Sequence, residues 1–162
     1  MSSSELPAPV ALVTGATSGI GRAVARKLAA DGFSVLVHGR DATRGAAVVE
    51  EIIAGGGHAR FAAAELTDPA AIERLAAEAA DVDVLVNNAG FSWFGPTADL
   101  APATFDAMFA ANVRSAYFLV AAIAPLMAKR GTGTIINLGS MAGQIGLAGG
   151  GPTAPPRPRW RR

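Results

Sequence analysis

The chain has 162 residues, of which 51% are hydrophobic and 17% are charged. The length is enough for one domain with a buried core, and the composition argues against disorder along the whole chain. The formal net charge of +1 provides no overall attraction to nucleic acid or to anionic lipid. Because cysteine is absent, disulfides and thiolate metal sites are excluded, which suits a reducing cytoplasm.

The N-terminal residues, MSSSELPAP, lack the basic start and the apolar run of a signal peptide. No segment of the sequence approaches the roughly 20 apolar residues that are needed to span a bilayer. The sequence therefore predicts a cytoplasmic protein with no membrane anchor and no nucleic-acid partner.

Short apolar runs rich in β-branched residues alternate with longer alanine-rich stretches of helical period. This alternation is typical of a parallel sheet covered by helices on both faces. The predicted strands are residues 10–13, 34–38, 59–63, 82–86 and 134–138. Right-handed crossovers would arrange them in an α/β fold with a doubly wound parallel sheet.

The helix predicted at residues 19–30 carries Ile20, Val24 and Leu28 at intervals of four. This spacing predicts one apolar stripe that packs on the sheet, and Gly32 is expected to end the helix. Further along, Asp68 followed by proline predicts a helix start. A long helical segment begins near residue 102 and is expected to close at Gly131.

The character of the chain changes at residue 149. Residues 152–162 contain four prolines and four arginines and show neither helical nor strand period. We predict one domain over residues 1–148 and a disordered or polyproline-like tail over residues 149–162. The least favoured alternative is that this tail is a ligand for an SH3-like groove or for nucleic acid.

A glycine-rich turn, TGATSGIG at residues 14–21, lies between the first predicted strand and the first helix. Glycines and a helix N-terminus together let backbone N–H groups approach a pyrophosphate closely. Gly15 is expected to make the turn, Gly19 to admit the ligand, and Gly21 to allow close packing of the helix on the strand. The predicted contacts also include Thr17, Ser18 and Ile20. A tight loop without a ligand is the alternative, and the flanking strand and helix disfavour it.

The TGxxxGxG spacing of this turn resembles the short-chain dehydrogenase/reductase family. NNAG at residues 87–90, the asparagine of FAANV and the serine of INLGS also match motifs of that family, in the same order, over about residues 8–148. The resemblance implies a Rossmann-type doubly wound sheet, incomplete at its C-terminal side. It also implies cofactor contacts at Asn88, Ala89 and Gly90, with catalytic roles for Asn112 and Ser140.

The end of the second predicted strand bears on the choice of cofactor. An acidic residue there would accept a hydrogen bond from a ribose 2′-hydroxyl and repel a 2′-phosphate, but the sequence has Arg40 instead. Arginine pairs well with phosphate, so NADP(H) is expected and NAD(H) is the alternative. Asp41 is then a helix cap. Glu65 and Leu66 stand where the resembled family has an aspartate and an apolar residue near the adenine.

The tyrosine and lysine of the family's YxxxK motif have no counterpart in this sequence. Counted from Ser140, their positions hold Thr153 and Arg157. A threonine hydroxyl is far less acidic than a phenol, and loss of a positioned general acid typically costs roughly 10²- to 10⁴-fold in rate. The one tyrosine, Tyr117, falls in the long helical segment, where a packing role is expected.

A shift of the reading frame would account for the missing pair. Residues 152–162 can be written with allowed codons so that the neighbouring frame reads Tyr-Gly-Ala-Thr-Lys, followed by an alanine-rich stretch. This frame would place a tyrosine at position 153 and a lysine at position 157. We therefore interpret the tail as out of frame.

The resemblance implies an NADP(H)-dependent oxidoreductase that acts on a ketone, a secondary alcohol or a 3-oxoacyl group and is inactive as written. The alternative is a catalytically silent NADP(H)-binding module. The full-length form is expected to be a homo-oligomer with a small-molecule carbonyl or alcohol substrate. Without further strands, the fifth strand would be an open edge, and Phe118, Val120 and Ile123 would lose their cover, which favours aggregation.

Overall fold

The computed structural model describes residues 8–140. The predicted tail, including positions 153 and 157, lies outside the described residues. Five parallel strands form one sheet in the order β3-β2-β1-β4-β5. The strands are β1 (Val10–Val13), β2 (Ser34–Gly39), β3 (His58–Ala63), β4 (Val84–Asn87) and β5 (Thr134–Asn137). The order places β1 at the centre, with the chain winding outward first to one side and then to the other, so the predicted doubly wound sheet is confirmed.

Five α-helices connect the strands within residues 8–140. They are α1 (Gly19–Ala30), α2 (Ala42–Ala54), α3 (Pro69–Glu78), α4 (Pro102–Phe109) and α5 (Ser115–Arg130). A π-helical turn, Ala110–Arg114, joins α4 to α5 without a break. The C-cap of α5 is Gly131, as the sequence predicted. The strand bounds also agree with the prediction to within two residues.

Helices cover both faces of the sheet, as expected. On one face, α1 and α2 pack on Val13, Val35 and Val37, whereas α3 and α5 pack on Leu12 and Leu36 from the other. Neighbouring residues of a strand point to opposite faces, so each strand contributes to both layers of the core. Strands buried in this way consist of continuous apolar runs, which is why periodicity of two is absent from β1 and β2.

The apolar stripe predicted for α1 was partly wrong. The side of α1 that faces the core contains Gly21, Ala25 and Ala29, all buried, whereas Ile20 is 66% exposed. Small residues let the helix approach the sheet closely, and this rotates the larger Ile20 away from the core. Its exposure leaves Ile20 at the mouth of a cleft that is described below.

The continuous helix from Pro102 to Arg130 is 29 residues long, with a mean hydropathy of 1.5 in its most apolar stretch. The expectation that no segment reaches membrane-spanning length was therefore wrong by length and composition. Within the described residues this is the one such helix. Its buried residues Leu119, Ile123 and Met127 join the core beneath α3, and core helices of this kind satisfy the same length and composition criteria.

The prediction that Phe118, Val120 and Ile123 on α5 are uncovered is only partly confirmed. Phe118 is 50% exposed and Val120 is half-buried, but Ile123 is fully buried, so the expectation that Ile123 loses its cover was wrong. Ile123 faces the sheet and α3, whereas Phe118 faces outward. In β5, Ile136 and Leu138 just beyond it remain exposed among the described residues. The fifth strand therefore lies at an open edge of the described sheet.

We predict that Ile123→Ala lowers the free energy of unfolding by about 2–5 kcal/mol, because it leaves a cavity between α5 and the sheet. Ile53→Ala is the matched control, since Ile53 is 56% exposed on α2. Urea denaturation of the two variants measures the difference. Equal losses of stability in the two variants would contradict the placement of Ile123 in the core.

Candidate functional site

A cleft of about 380 Å³ opens where the carboxyl ends of β1, β2 and β4 meet. All twelve residues that the sequence predicted to contact the cofactor line this cleft. The carboxyl ends of strands on either side of a change in winding direction form the usual crevice for ligands in doubly wound sheets. The structure thus brings the predicted residues together, although their individual roles stay predictions.

The start of α1 forms the floor of this cleft. The N-cap residue Ser18 makes no side-chain cap hydrogen bond, and the first turn of α1 contains no acidic residue. By contrast, Asp41 and Asp68 accept backbone hydrogen bonds at the starts of α2 and α3. The first N–H groups of a helix lack intrahelical partners and carry partial positive charge. The start of α1 is therefore suited to bind an anion.

The glycines of the turn leave room for such an anion. Gly15 and Gly19 have φ values of 64° and 54°, in the left-handed region that other residues adopt at a cost. A Cβ atom on Gly19 would meet nothing within 4 Å, so the space beside this residue is open. A Cβ atom on Gly21 would instead collide with the carbonyl oxygen of Gly15. Gly19 thus borders the cleft, and the lack of a side chain at Gly21 lets the start of α1 pack directly against Gly15.

Asn88 and Thr14 fix the position of the turn. The side-chain amide of Asn88 donates hydrogen bonds to the carbonyl oxygens of Thr14 and Gly15, at 2.9 and 3.2 Å. The Thr14 hydroxyl oxygen accepts from the backbone N–H groups of Asn88 and Ala89, each at 3.0 Å. These reciprocal bonds join the end of β1 to the end of β4. The NNAG segment therefore holds the glycine-rich turn against the end of β4.

His38 supports the same turn from β2. Its Nδ1 accepts a hydrogen bond from the Gly15 N–H at 3.2 Å, and its Nε2 lies 3.1 Å from the carbonyl oxygen of Ala64. Both contacts are satisfied only by the neutral ring with the proton on Nε2. Burial lowers the pKa of His38, although the Ala64 carbonyl and the nearby Glu65 carboxylate partly oppose this.

One side of the cleft, the far wall, is formed by Arg40, Arg44 and Glu65 and is charged. The Arg40 guanidinium is 73% exposed and lies 3.3 Å from the Glu65 carboxylate. Asp41 accepts a hydrogen bond from the Arg44 N–H at 3.0 Å and pairs with the Arg44 side chain at 2.9 Å. The backbone hydrogen bond from Arg44 holds the pKa of Asp41 below its usual value. Two arginines therefore line this wall.

Asn112 lies in the π-helical turn, beside a second cleft of about 350 Å³. Its Oδ1 accepts from the Phe91 N–H at 3.0 Å, and its Nδ2 donates to the Phe91 carbonyl oxygen at 2.9 Å. A Cβ atom on Gly90 would lie 2.8 Å from Asn112 Oδ1, so the two segments fit closely. π-helical turns occur often at functional sites because they reposition a side chain within a helix.

Ser140 is the last described residue and is exposed. The second cleft is lined by Leu138 and Gly139, which precede Ser140, but Ser140 itself does not line it. The structure therefore brings Asn112 close to the end of β5, and Ser140 follows immediately after. Tyr117 lies on α5, 67% exposed, with its ring edge-on to Phe118 at a centroid distance of 5.3 Å.

Four residues at or beside the site were not among the predicted cofactor contacts. Three of them are Thr14, His38 and Arg44, whose contacts are given above. The fourth is Arg114, whose guanidinium donates to the Thr67 carbonyl oxygen at 2.6 Å and so links the π-helical turn to the loop after β3. The position of Arg44, four residues after Arg40, was the one available signal for a second cation at this wall.

We predict that the stability of the protein falls as the pH drops below about 6.5, the ordinary pKa of histidine. The lowered pKa of His38 means that the unfolded chain binds a proton in this range while the folded chain does not. Above that pH both states are neutral at His38, and this contribution disappears. His38→Gln should remove the effect, and His58→Gln, at the exposed histidine, should retain it. Thermal unfolding from pH 8 to 5 measures the slopes, and equal slopes in the two variants would contradict the role of His38.

Comparison with known proteins gives consistent results. A family model described as short chain dehydrogenase matches residues 9–152. The chain is 38% identical over 149 residues to a 3-oxoacyl-[acyl-carrier-protein] reductase of Synechocystis sp., covering 89% of this chain and 60% of the reductase. It thus spans less than two thirds of the length of this curated relative.

Solved structures of similar fold include a metagenomic short-chain oxidoreductase in complex with NADP. It is 45% identical with a TM-score of 0.83, and the match covers 88% of this chain and 66% of that one. A variant of actinorhodin polyketide ketoreductase with NADPH is 34% identical with a TM-score of 0.85, covering 90% and 58%. Because the family model matches most of the chain and the sheet order agrees with the predicted fold, this chain belongs to the short-chain dehydrogenase/reductase family.

Proposed function

We propose that this chain is the NADP(H)-binding part of an oxidoreductase that acts on a ketone, a secondary alcohol or a 3-oxoacyl group. The observation that carries the proposal is the uncapped start of α1, which faces the open space beside Gly19. A pyrophosphate placed there would receive backbone hydrogen bonds from a turn that Asn88 and His38 hold in position. When bound, the cofactor supplies the hydride for the reaction.

The charges on the far wall support NADP(H) over NAD(H). Asp41, the nearest carboxylate to the end of β2 in sequence, is engaged as the cap of α2 and as the partner of Arg44. It is therefore poorly placed to accept a hydrogen bond from a ribose 2′-hydroxyl. The exposed Arg40 guanidinium has the geometry to bind a 2′-phosphate through two parallel hydrogen bonds.

The relatives, rather than the cleft, support the proposed substrate class. The relatives described above are a 3-oxoacyl reductase and a polyketide ketoreductase, both of which act on ketone groups. The second cleft, beside Asn112, is the corresponding place for a substrate in this chain. We assign Asn112 and Ser140 the catalytic roles of the family motifs, with Ser140 orienting the substrate oxygen.

A catalytically silent NADP(H)-binding module is the second candidate, and one observation favours it. The match to the family model stops at residue 152, immediately before Thr153 and Arg157 replace the tyrosine and the lysine. We propose that the domain extends to about residue 148 and that residues 149–162 are translated out of frame. The protein as written would then bind the cofactor without turning it over.

A homo-oligomer in the cytoplasm remains our proposal for the full-length form. Its physical support is the outward face of α5, where Tyr117, Phe118 and Leu126 are exposed. Exposed apolar residues that recur along one helix are typical of a surface that a partner covers. We propose neither nucleic acid nor a membrane as a partner.

We predict that the protein binds NADPH more tightly than NADH and that Arg40→Ala removes most of this preference. Loss of the guanidinium should weaken NADPH binding by about tenfold, since hydrogen bonds between charged groups are among the stronger ones. NADH binding should change little. Arg26→Ala is the control, because Arg26 is exposed on α1 away from the cleft. Titration followed by nucleotide fluorescence measures the six affinities of the wild type and the two variants, and equal loss of both nucleotides in Arg40→Ala would contradict the assignment.

We predict that the protein as written oxidises no NADPH with a panel of ketones and 3-oxoacyl thioesters. Restoring one base in the codon of Gly151 should raise the rate by at least roughly 10²-fold, because the restored frame supplies a positioned general acid. Sequencing the coding DNA over residues 149–157 is the direct check. Codons that cannot yield tyrosine and lysine in the neighbouring frame would overturn the frame hypothesis, and turnover by the unaltered chain would overturn the proposed inactivity.

A further inference from the structure

The ion pair between Arg40 and Glu65 joins the ends of two neighbouring strands. Gly39 and Ala63, the last residues of β2 and β3, are paired in register, so the residues that follow them leave the sheet side by side. Arg40 Nη1 lies 3.3 Å from Glu65 Oε2. Both side chains line the cleft in which the proposed function places the adenosine end of the cofactor.

Glu65 is held in place and is charged. Its Oε1 accepts a hydrogen bond from the Thr67 N–H at 3.0 Å, while its other oxygen faces Arg40. Partial burial tends to raise the pKa of Glu65, but the hydrogen bonds from Thr67 and Arg40 outweigh this and keep the pKa below its usual value. The carboxylate is therefore a fixed negative charge at neutral pH.

The Glu65 carboxylate lies near the place where a carboxylate is missing from the end of β2. Sequence reasoning expected no carboxylate at the end of β2, and the structure confirms that Asp41 is engaged elsewhere. Glu65 nevertheless brings a carboxylate to the same wall from the end of β3. With a side chain one methylene shorter, an aspartate at this position would reach less far toward Arg40.

We propose that Glu65 moderates cofactor selectivity, because its carboxylate competes with a ribose 2′-phosphate for the Arg40 guanidinium. This inference rests on the proposed NADP(H)-binding function and adds a residue that moderates it. A 2′-phosphate is repelled by Glu65 while it is attracted by Arg40. The preference for NADPH is therefore smaller than Arg40 alone would give.

The test is to measure NADPH and NADH affinities of the chain carrying Glu65→Gln or Glu65→Ala. Glutamine keeps the size of the side chain and an acceptor for Thr67, and alanine removes both the charge and the acceptor. Each variant should raise the ratio of NADPH to NADH affinity by about 1.5-fold to fivefold, the range for loss of one exposed charge interaction. Glu50→Gln makes the same charge change at an exposed position of α2 outside the cleft, and the ratio should not move.

The outcomes separate the two proposals. If the wild-type chain binds neither nucleotide, the proposed function fails. If the wild-type chain binds NADPH and the ratio in both Glu65 variants equals that of Glu50→Gln, the inference about Glu65 is overturned while the proposed function stands. A parallel loss of both nucleotides in the Glu65 variants also overturns the inference, because it assigns Glu65 a supporting role only.

Discussion

The uncapped start of α1 is the feature on which the rest of the site depends. In α2 and α3 an aspartate satisfies the first backbone N–H groups, but Ser18 leaves those of α1 without a side-chain cap. Helix N-termini in this condition attract anions through both hydrogen bonds and partial positive charge. The supports from Thr14, Asn88 and His38 hold the turn in one conformation before any ligand binds, which lowers the entropic cost of binding.

At the end of the cleft where we propose that the adenosine binds, charged side chains rather than backbone N–H groups would select the nucleotide. In our proposal Arg40 attracts a 2′-phosphate and Glu65 adds an opposing negative charge, whereas Asp41 is already engaged at the start of α2. These groups are exposed, so each interaction is modest and is weakened by salt. We therefore propose that Arg40 creates the preference for NADPH and that Glu65 offsets part of it.

The sheet and the glycine-rich turn could be predicted from the sequence because both depend on local patterns. Buried parallel strands are short apolar runs, and the TGATSGIG segment places glycines directly between a strand and a helix start. The role of His38 could not be predicted, since it depends on Gly15 and Ala64, which are distant in sequence and meet only in the folded sheet. The orientation of Ile20 was predicted wrongly because the helical stripe was assigned from the four-residue spacing of apolar side chains, whereas close packing selected Gly21, Ala25 and Ala29.

The central claim is that backbone N–H groups at the start of α1 bind the paired phosphates of a dinucleotide. Hydrogen–deuterium exchange with and without NADPH tests it most directly, because it reports on those amides themselves. Saturating NADPH should slow exchange at residues 18–21 and leave the first turn of α3, which Asp68 caps, unchanged. Unaltered exchange at residues 18–21, in a sample shown by fluorescence to have bound the nucleotide, would contradict the claim.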